Sequence, residues 1–304
     1  MQKYAKFLSL ITLFAVLWAP MALAKPQIVF EVSSGRILAG EDIDQQWYPA
    51  SLTKVMTGYL AFKALTERND FSLETKLKLS RHAANQPASK LGIGTGNSIR
   101  VEKALEALFI RSSNDIAMAL AEHISGSEAN FLNLMNRTAH SLGMTRTHFS
   151  TPHGLFKKDQ VSTARDLAKL SRAILTQYPQ YAHFYKMRYL NINNKKFRNR
   201  NGLLRSYQGA DGMKTGFVCS SGYNLIATAK RGGQKIVAIM LGGKSVKSRN
   251  ARVTELLDYG FLQLTKNINN FPTIYNAQQQ QYKPPFDMRP ISCAPRKRVS
   301  KKKK

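Results

Sequence analysis

Ser51-Leu52-Thr53-Lys54 sets a hydroxyl and an amine three residues apart. If a helix opens at Ser51, both groups fall on one face. A serine hydroxyl is a weak nucleophile until a base takes its proton. A lysine can be that base once burial or a neighbouring cation lowers its pKa. The helix start also offers backbone N–H groups beside the reacting carbon. The plain alternative is a helix cap followed by a solvated lysine. Ser112-Ser113-Asn114 is the second candidate. A hydroxyl and an amide at a turn can relay a proton and hold a substrate amide, or they simply cap the next helix. Lys214-Thr215-Gly216 is the third. Lysine and threonine can bind a carboxylate, and the glycine lets a substrate backbone lie close to a strand. An exposed turn is the alternative there.

These residues need elements to hold them. Residues 27–32 and 36–39 alternate around Ser33-Ser34-Gly35 and read as a β-hairpin. After Pro49, the spacing of Val55, Met56, Leu60 and Ala61 predicts a helix starting near Ser51. Residues 101–110, 115–124, 131–142 and 163–175 are helical in pattern, the last capped by Ser162 or Thr163. Residues 223–229 and 235–241 read as strands joined at Arg231-Gly232-Gly233, and 246–264 as a long closing helix. The third motif then falls just before the last strand pair. The fold class is α/β in the α+β sense. Strands from both chain ends form one layer, with helices on its faces and a mostly helical insert between.

The 304 residues are 43% hydrophobic, enough for one large domain or two small ones. Residues 1–24 read as a signal peptide: Lys3 and Lys6, an apolar run over 7–21, then Ala22-Leu23-Ala24 as the cleavage site. Removing those two lysines lowers the formal net charge from +28 to +26. So large an excess bears on partners rather than on fold. For an exported protein it favours anionic envelope polymers or lipid head groups over nucleic acid. Cys219 and Cys293 are the disulfide candidate, since a non-cytoplasmic compartment permits a bridge. Two separate thiols are the alternative. Residues 25–265 are expected to be the catalytic domain. Residues 266–304, with Asn267, Gln278 and Pro284, read as a linker ending in a basic tail from Arg296 to Lys304.

Taken together, in this order, the three motifs are those of β-lactamases and penicillin-binding proteins. The chain resembles the low-molecular-mass penicillin-binding proteins of the D-alanyl-D-alanine carboxypeptidase family over about 27–264. Pro49-Ala50-Ser51, Ser112-Ser113-Asn114-Asp115, Thr151-Pro152-His153-Gly154-Leu155, Ser162-Thr163-Ala164-Arg165-Asp166, Asn199-Arg200-Asn201-Gly202-Leu203-Leu204, Asp211-Gly212-Met213-Lys214-Thr215-Gly216 and Ser221-Gly222-Tyr223-Asn224-Leu225 carry the likeness. It implies an antiparallel sheet of β-lactamase/transpeptidase type. It also implies that Ser51 attacks the carbonyl of the penultimate D-alanine of a peptidoglycan stem peptide, with Lys54 as base. Ser112 would shuttle the proton and Asn114 hold the substrate amide. Lys214 and Thr215, assisted by Arg200, would bind the terminal carboxylate, with Gly216 beside them. Backbone N–H groups of Ser51 and Phe217 would form the oxyanion hole. β-Lactams would acylate Ser51 as covalent inhibitors.

Two departures stand out. Ser113 fills a position where the family usually has glycine. Only about 40 residues follow Leu264, too few for the β-rich second domain and amphipathic helix of many relatives. The basic tail is a candidate contact with an anionic membrane surface. No cofactor or metal is implied: the six histidines lack ligand spacing and His-Glu-x-x-His is absent. His153 and Asp166 read as loop-ordering residues, and the stretch Gly92-Ile93-Gly94-Thr95-Gly96 as a loop lining the cleft. Other readings are a D,D-endopeptidase, which a glutamate in the middle motif would favour, and a non-catalytic wall-binding protein. A β-lactamase is disfavoured because 149–160 contains no glutamate to activate a deacylating water.

Overall fold

The structure is a computed structural model that describes residues 25–192, 194–266 and 270–294. The expected signal peptide and the basic tail from 295 onward lie outside the described residues. Strands β1 (Gln27–Glu31) and β2 (Ile37–Glu41) form the N-terminal hairpin. The insert contains α1 (Lys54–Glu67), α2 (Arg81–Ala84), α3 (Val101–Glu106), α4 (Asn114–Ser125), α5 (Glu128–Ser141), α6 (Ala164–Gln177) and α7 (His183–Lys186). Two small ribbons interrupt it, β3 (Lys76–Lys78) with β4 (Ser98–Arg100), and β5 (Tyr189–Ile192) with β6 (Lys195–Arg198). After α8 (Leu203–Ser206) come β7 (Ala210–Val218), β8 (Gly222–Arg231), β9 (Gln234–Gly243), α9 (Val246–Thr265) and the short α10 (Arg289–Ser292).

The main sheet has the order β2-β1-β9-β8-β7, and every neighbouring pair is antiparallel. The two ends of the domain meet in its middle, where Ile28 lies opposite Ile239. Strand β9 shows why both faces must be covered. Val237, Ile239 and Leu241 join the core under the helical insert, while Ile236, Ala238 and Met240 join a second core under α9. Successive side chains of a strand point to opposite faces, so one continuous apolar run serves two layers. Burying each large aliphatic side chain contributes about 1.5–3 kcal/mol. A one-residue slip would exchange the faces, which pins the register.

Three expectations change. The Lys214 motif, expected just before the last strand pair, does precede it but lies inside a strand that the pattern does not show, β7, at the sheet edge. Gly212 and Gly216 and the charges in this stretch hide it from a propensity reading. The 101–110 helix is α-helical over Val101–Glu106 and then widens into a π-turn over Ala107–Arg111, which ends with Ser112 in the left-handed region at φ +63°. The third change is at the C-terminal side. Residues 270–294 are no free linker but a strap laid back on the domain. Ile274 and Met288 are fully buried, and Arg36 bridges to Thr273. The carbonyls of Ala277, Gln278 and Gln280 accept from the side chains of Arg165 and Arg146. A disulfide joins Cys219 to Cys293 across 74 residues.

Candidate active site

Ser51 sits in a 3-10 turn, Ala50–Thr53, that runs directly into α1. Three contacts hold this turn. The Asn224 side chain on β8 donates to the carbonyls of Tyr48 (3.0 Å) and Pro49 (3.3 Å) and accepts from the Gly242 N–H (2.9 Å). Trp47 is fully buried and donates its indole N–H to the Ser221 carbonyl, 2.9 Å. Gly154, at φ +85°, lies so close that a Cβ there would come within 1.9 Å of the Ala50 carbonyl oxygen. Only glycine fits both that angle and that distance. Ala50 itself has φ +49°, a region costly for a residue with a Cβ. The strain lies one residue before the nucleophile.

Lys54 is completely buried. Its Nζ donates to Asn114 Oδ1 (2.7 Å) and to the His153 carbonyl (2.6 Å), and lies 3.3 Å from Ser51 Oγ. Burial, reinforced by Lys214 and Arg200, holds its pKa well below that of an ordinary lysine, against the smaller pull of Asp115. A neutral amine has two hydrogens and one lone pair. Two contacts are with pure acceptors and use both hydrogens. The lone pair is left for the Ser51 hydroxyl, the arrangement a general base needs. Burial, then Lys54, pushes the His153 imidazole down to about 3, so His153 is neutral.

On the other side of the cleft, Lys214 Nζ donates to Ser112 Oγ at 2.9 Å and to the Thr215 carbonyl at 3.1 Å. Burial, then Arg200 and Arg249, brings the Lys214 pKa down to about 7. Arg249 on α9 is 3% exposed. Its guanidinium donates to Asn250 Oδ1. Burial lowers its pKa to about 10. Lys214, Arg200 and Arg249 surround one space, and among the described residues none of them has a carboxylate partner. Such a space is suited to a substrate anion. Ser51, Ser112, Arg200, Thr215, Gly216, Phe217 and Arg249 line a cavity of about 350 Å³. It continues past Ser51, Asn114 and Arg200 into a second lobe of about 450 Å³.

The family model for D-alanyl-D-alanine carboxypeptidase matches residues 17–245. The chain belongs to that family. The D-alanyl-D-alanine carboxypeptidase DacF of Bacillus subtilis strain 168 is 35% identical over 245 residues, 79% of this chain and 62% of the relative. DacC of Escherichia coli strain K12 is 35% identical over 250 residues, 80% of this chain and 62% of the relative. The chain thus spans about six tenths of the length of these curated relatives. Among solved structures, penicillin binding protein 5 from Haemophilus influenzae is 34% identical at a TM-score of 0.76, covering 80% of this chain and 72% of that one. The fold is therefore of the transpeptidase type of this family.

All nine residues expected at the site surround one cleft, and several have second tasks that the family motifs do not reveal. Asn114 spends its Oδ1 on Lys54 and one N–H on the Pro87 carbonyl at 2.9 Å, so only one N–H is left for a substrate. Ser113 Oγ is buried without a hydrogen-bond partner. Asp115 accepts from the N–H groups of Leu91 and Gly92 and fastens the neighbouring loop to the second motif. Asn199 and Asn201 bond to Met187 and Gly212 carbonyls, setting the turn from which Arg200 donates to Ser89 Oγ at 2.8 Å. His153 offers its carbonyl to Lys54, and its Nδ1 accepts from the Leu155 N–H. Asp166 orders the 146–147 turn. Arg249, on the same buried face of α9 as Val253, Leu256 and Leu257, was missed, because a lone arginine at the end of an apolar stripe does not tell what it faces. The stretch Gly92 to Gly96, expected to line the cleft, does not: Ala88, Ser89 and Lys90 before it line the cleft, while Gly92, Ile93 and Gly94 line a neighbouring cavity.

Proposed function

We propose that the protein is a serine-type D-Ala-D-Ala carboxypeptidase that trims peptidoglycan stem pentapeptides. The observation that carries this reading is the Lys54 Nζ, held by Asn114 Oδ1 and the His153 carbonyl and 3.3 Å from Ser51 Oγ, so that its neutral form would turn a lone pair to the serine. In this reading Ser51 Oγ attacks the penultimate D-alanine carbonyl while its proton passes to Lys54 Nζ. The N–H groups of Ser51 and Phe217 bind the developing oxyanion. The terminal carboxylate lies among Lys214, Thr215, Arg200 and Arg249. Ser112, which accepts from Lys214, passes its proton to the leaving D-alanine nitrogen and takes up the one that Lys54 received, so that Lys54 is neutral again. The C–N bond breaks, an ester to Ser51 remains, and a water activated by the same base hydrolyses it. Asn114 orients Lys54 and steadies the substrate amide with its free N–H. A β-lactam would acylate Ser51 in the same way. Penicillin-Binding Protein D2 from Listeria monocytogenes, solved in an ampicillin-bound form, is 33% identical, with a TM-score of 0.71 and coverage of 78% of this chain and 97% of that one.

The apolar leader and the wall substrate support export to the periplasm or cell envelope. The catalytic unit is 25–294, with the strap as part of it. The basic tail would add contact with an anionic membrane surface; equal vesicle sedimentation with and without residues 295–304 would remove that idea. The decisive test incubates the mature protein and Ser51→Ala with a stem pentapeptide and with a cross-linked dimer, reading D-alanine and cut dimer by mass. D-alanine release by the parent, abolished in the variant, is expected. Cutting of the dimer alone would replace this reading with an endopeptidase.

A further inference from the structure

A second cavity, about 580 Å³, opens beside the catalytic cleft between the loop of residues 91–99 and the β5–β6 hairpin. That is within the usual range of about 300–1,000 Å³ for ligand sites. The two spaces share a wall. Lys90 lines the cleft and Leu91 the second cavity, and Arg111 from the cleft stacks at 4.8 Å on the Phe197 ring, which lines the second cavity. The loop wall is fixed to the catalytic machinery, because Asp115, next to Asn114, holds its Leu91 and Gly92 N–H groups. The hairpin wall follows strand alternation: Ile192, Lys195 and Phe197 face the cavity, while Lys196 and Arg198 stand on the opposite face.

The charge here is one-sided. From Lys186 to Arg205 there are seven cations, Lys186, Arg188, Lys195, Lys196, Arg198, Arg200 and Arg205, and no acidic residue. All seven are exposed, and among the described residues none is paired with a carboxylate. A protein with 18 acids elsewhere leaves this stretch uncompensated at the edge of its catalytic cleft. The cavity beneath is lined by Ile93, Ile99, Ile192 and Phe197 and, on its polar side, by Asn97, Lys195 and Lys103, the last paired with Glu106. A bare phosphate chain would leave that apolar wall unmatched. An aliphatic peptide segment bearing a carboxylate matches both.

We propose that this cavity and its basic hairpin form a second binding site for a carboxylate-bearing peptide segment of the wall polymer, next to the bond being cut. The inference rests on the wall-peptide reading above and extends it: the enzyme holds polymeric, carboxylate-rich wall better than a short acylated dipeptide. The test compares the parent with the triple variant Lys195→Glu/Lys196→Glu/Arg198→Glu, and with Lys195→Glu alone, each also carrying Ser51→Ala for binding. Co-sedimentation with purified insoluble wall is measured before and after its carboxylates are amidated. Binding by the triple variant is expected to fall about tenfold, and Lys195→Glu, the one of the three that lines the cavity, to account for most of that loss. Binding of amidated wall by the parent should fall similarly, and added salt should weaken only the parent strongly. A loss in the triple variant with none in Lys195→Glu overturns the cavity site. In turnover, KM for wall fragments should rise about tenfold while kcat and hydrolysis of N-acylated D-Ala-D-Ala change less than twofold. Unchanged dipeptide turnover shows that the variant is folded. Equal sedimentation of parent and variant, or undiminished binding of amidated wall, overturns the proposal. Failure of the parent to release D-alanine from any substrate overturns the carboxypeptidase reading instead, and the sedimentation result still decides the docking site.

Discussion

The catalytic cleft and the β5–β6 hairpin contain the same residue types in opposite physical states. In the cleft, Lys54 and Lys214 are fully enclosed, and burial with neighbouring cations lowers both pKa values. On the hairpin, Lys195, Lys196 and Arg198 stand in solvent, where water supports their charge. Enclosure turns a lysine into a base or a tunable anion site; exposure turns it into a long-range attractor. The difference teaches that the large positive charge of this chain is two devices. A few cations are hidden in the cleft with lowered pKa values, and many more stand in solvent, where under the proposed docking site they would attract an anionic polymer.

The largest expected effect comes from removing a hidden cation. Lys54→Ala should slow acylation of Ser51 by a labelled penicillin on the order of 10³-fold, in line with the loss of a general base. Lys195→Ala should leave that rate unchanged; a similar loss in both would erase the distinction. Next comes pH. Lys54 must be neutral to take a proton, so kcat/KM should fall on the acid side as its depressed pKa is crossed. Lys214 must be charged to bind a carboxylate, so kcat/KM should fall again as pH rises through about 7. Lys214→Arg, which keeps its charge, should carry that alkaline limb upward by more than one pH unit, read from a pH–rate profile. A profile that keeps its alkaline limb in place would assign the limb to another group.

Stability effects are smaller. Cys219→Ser with Cys293→Ser should cost about 2–4 kcal/mol, read by thermal or denaturant melts, because the bridge closes a long loop. Arg198→Glu on the open hairpin should shift stability by no more than about 0.5 kcal/mol. A larger loss there would mean that the hairpin charge is structural.

The sequence made the chemistry legible more easily than its supports. Ser51, Lys54, Ser112, Asn114, Lys214 and Thr215 fall in short motifs in a fixed order, and the apolar periodicity of the long helices is strong. Strand β7 was hidden because Gly212, Gly216, Asp211 and Lys214 break the apolar alternation that marks a strand. The strap was hidden for another reason. Its Asn, Gln and Pro composition reads as a linker, yet its hold comes from distant partners, Asp44, Arg146 and Arg165, that accept from or donate to its backbone. Long-range side-chain-to-backbone bonds leave no local pattern. Arg249 was illegible for the same reason, since its meaning depends on Lys214 lying across the cavity.

The sheet order also sets when the candidate site comes together. The N-terminal strand pairs with β9, Ile28 against Ile239, and Asn224 on β8 clamps the turn before Ser51. Contacts so distant along the chain form late and slowly in folding. The nucleophile therefore has no early, half-built form: the chain acquires a reactive serine only when its first strand and its last three close on one another.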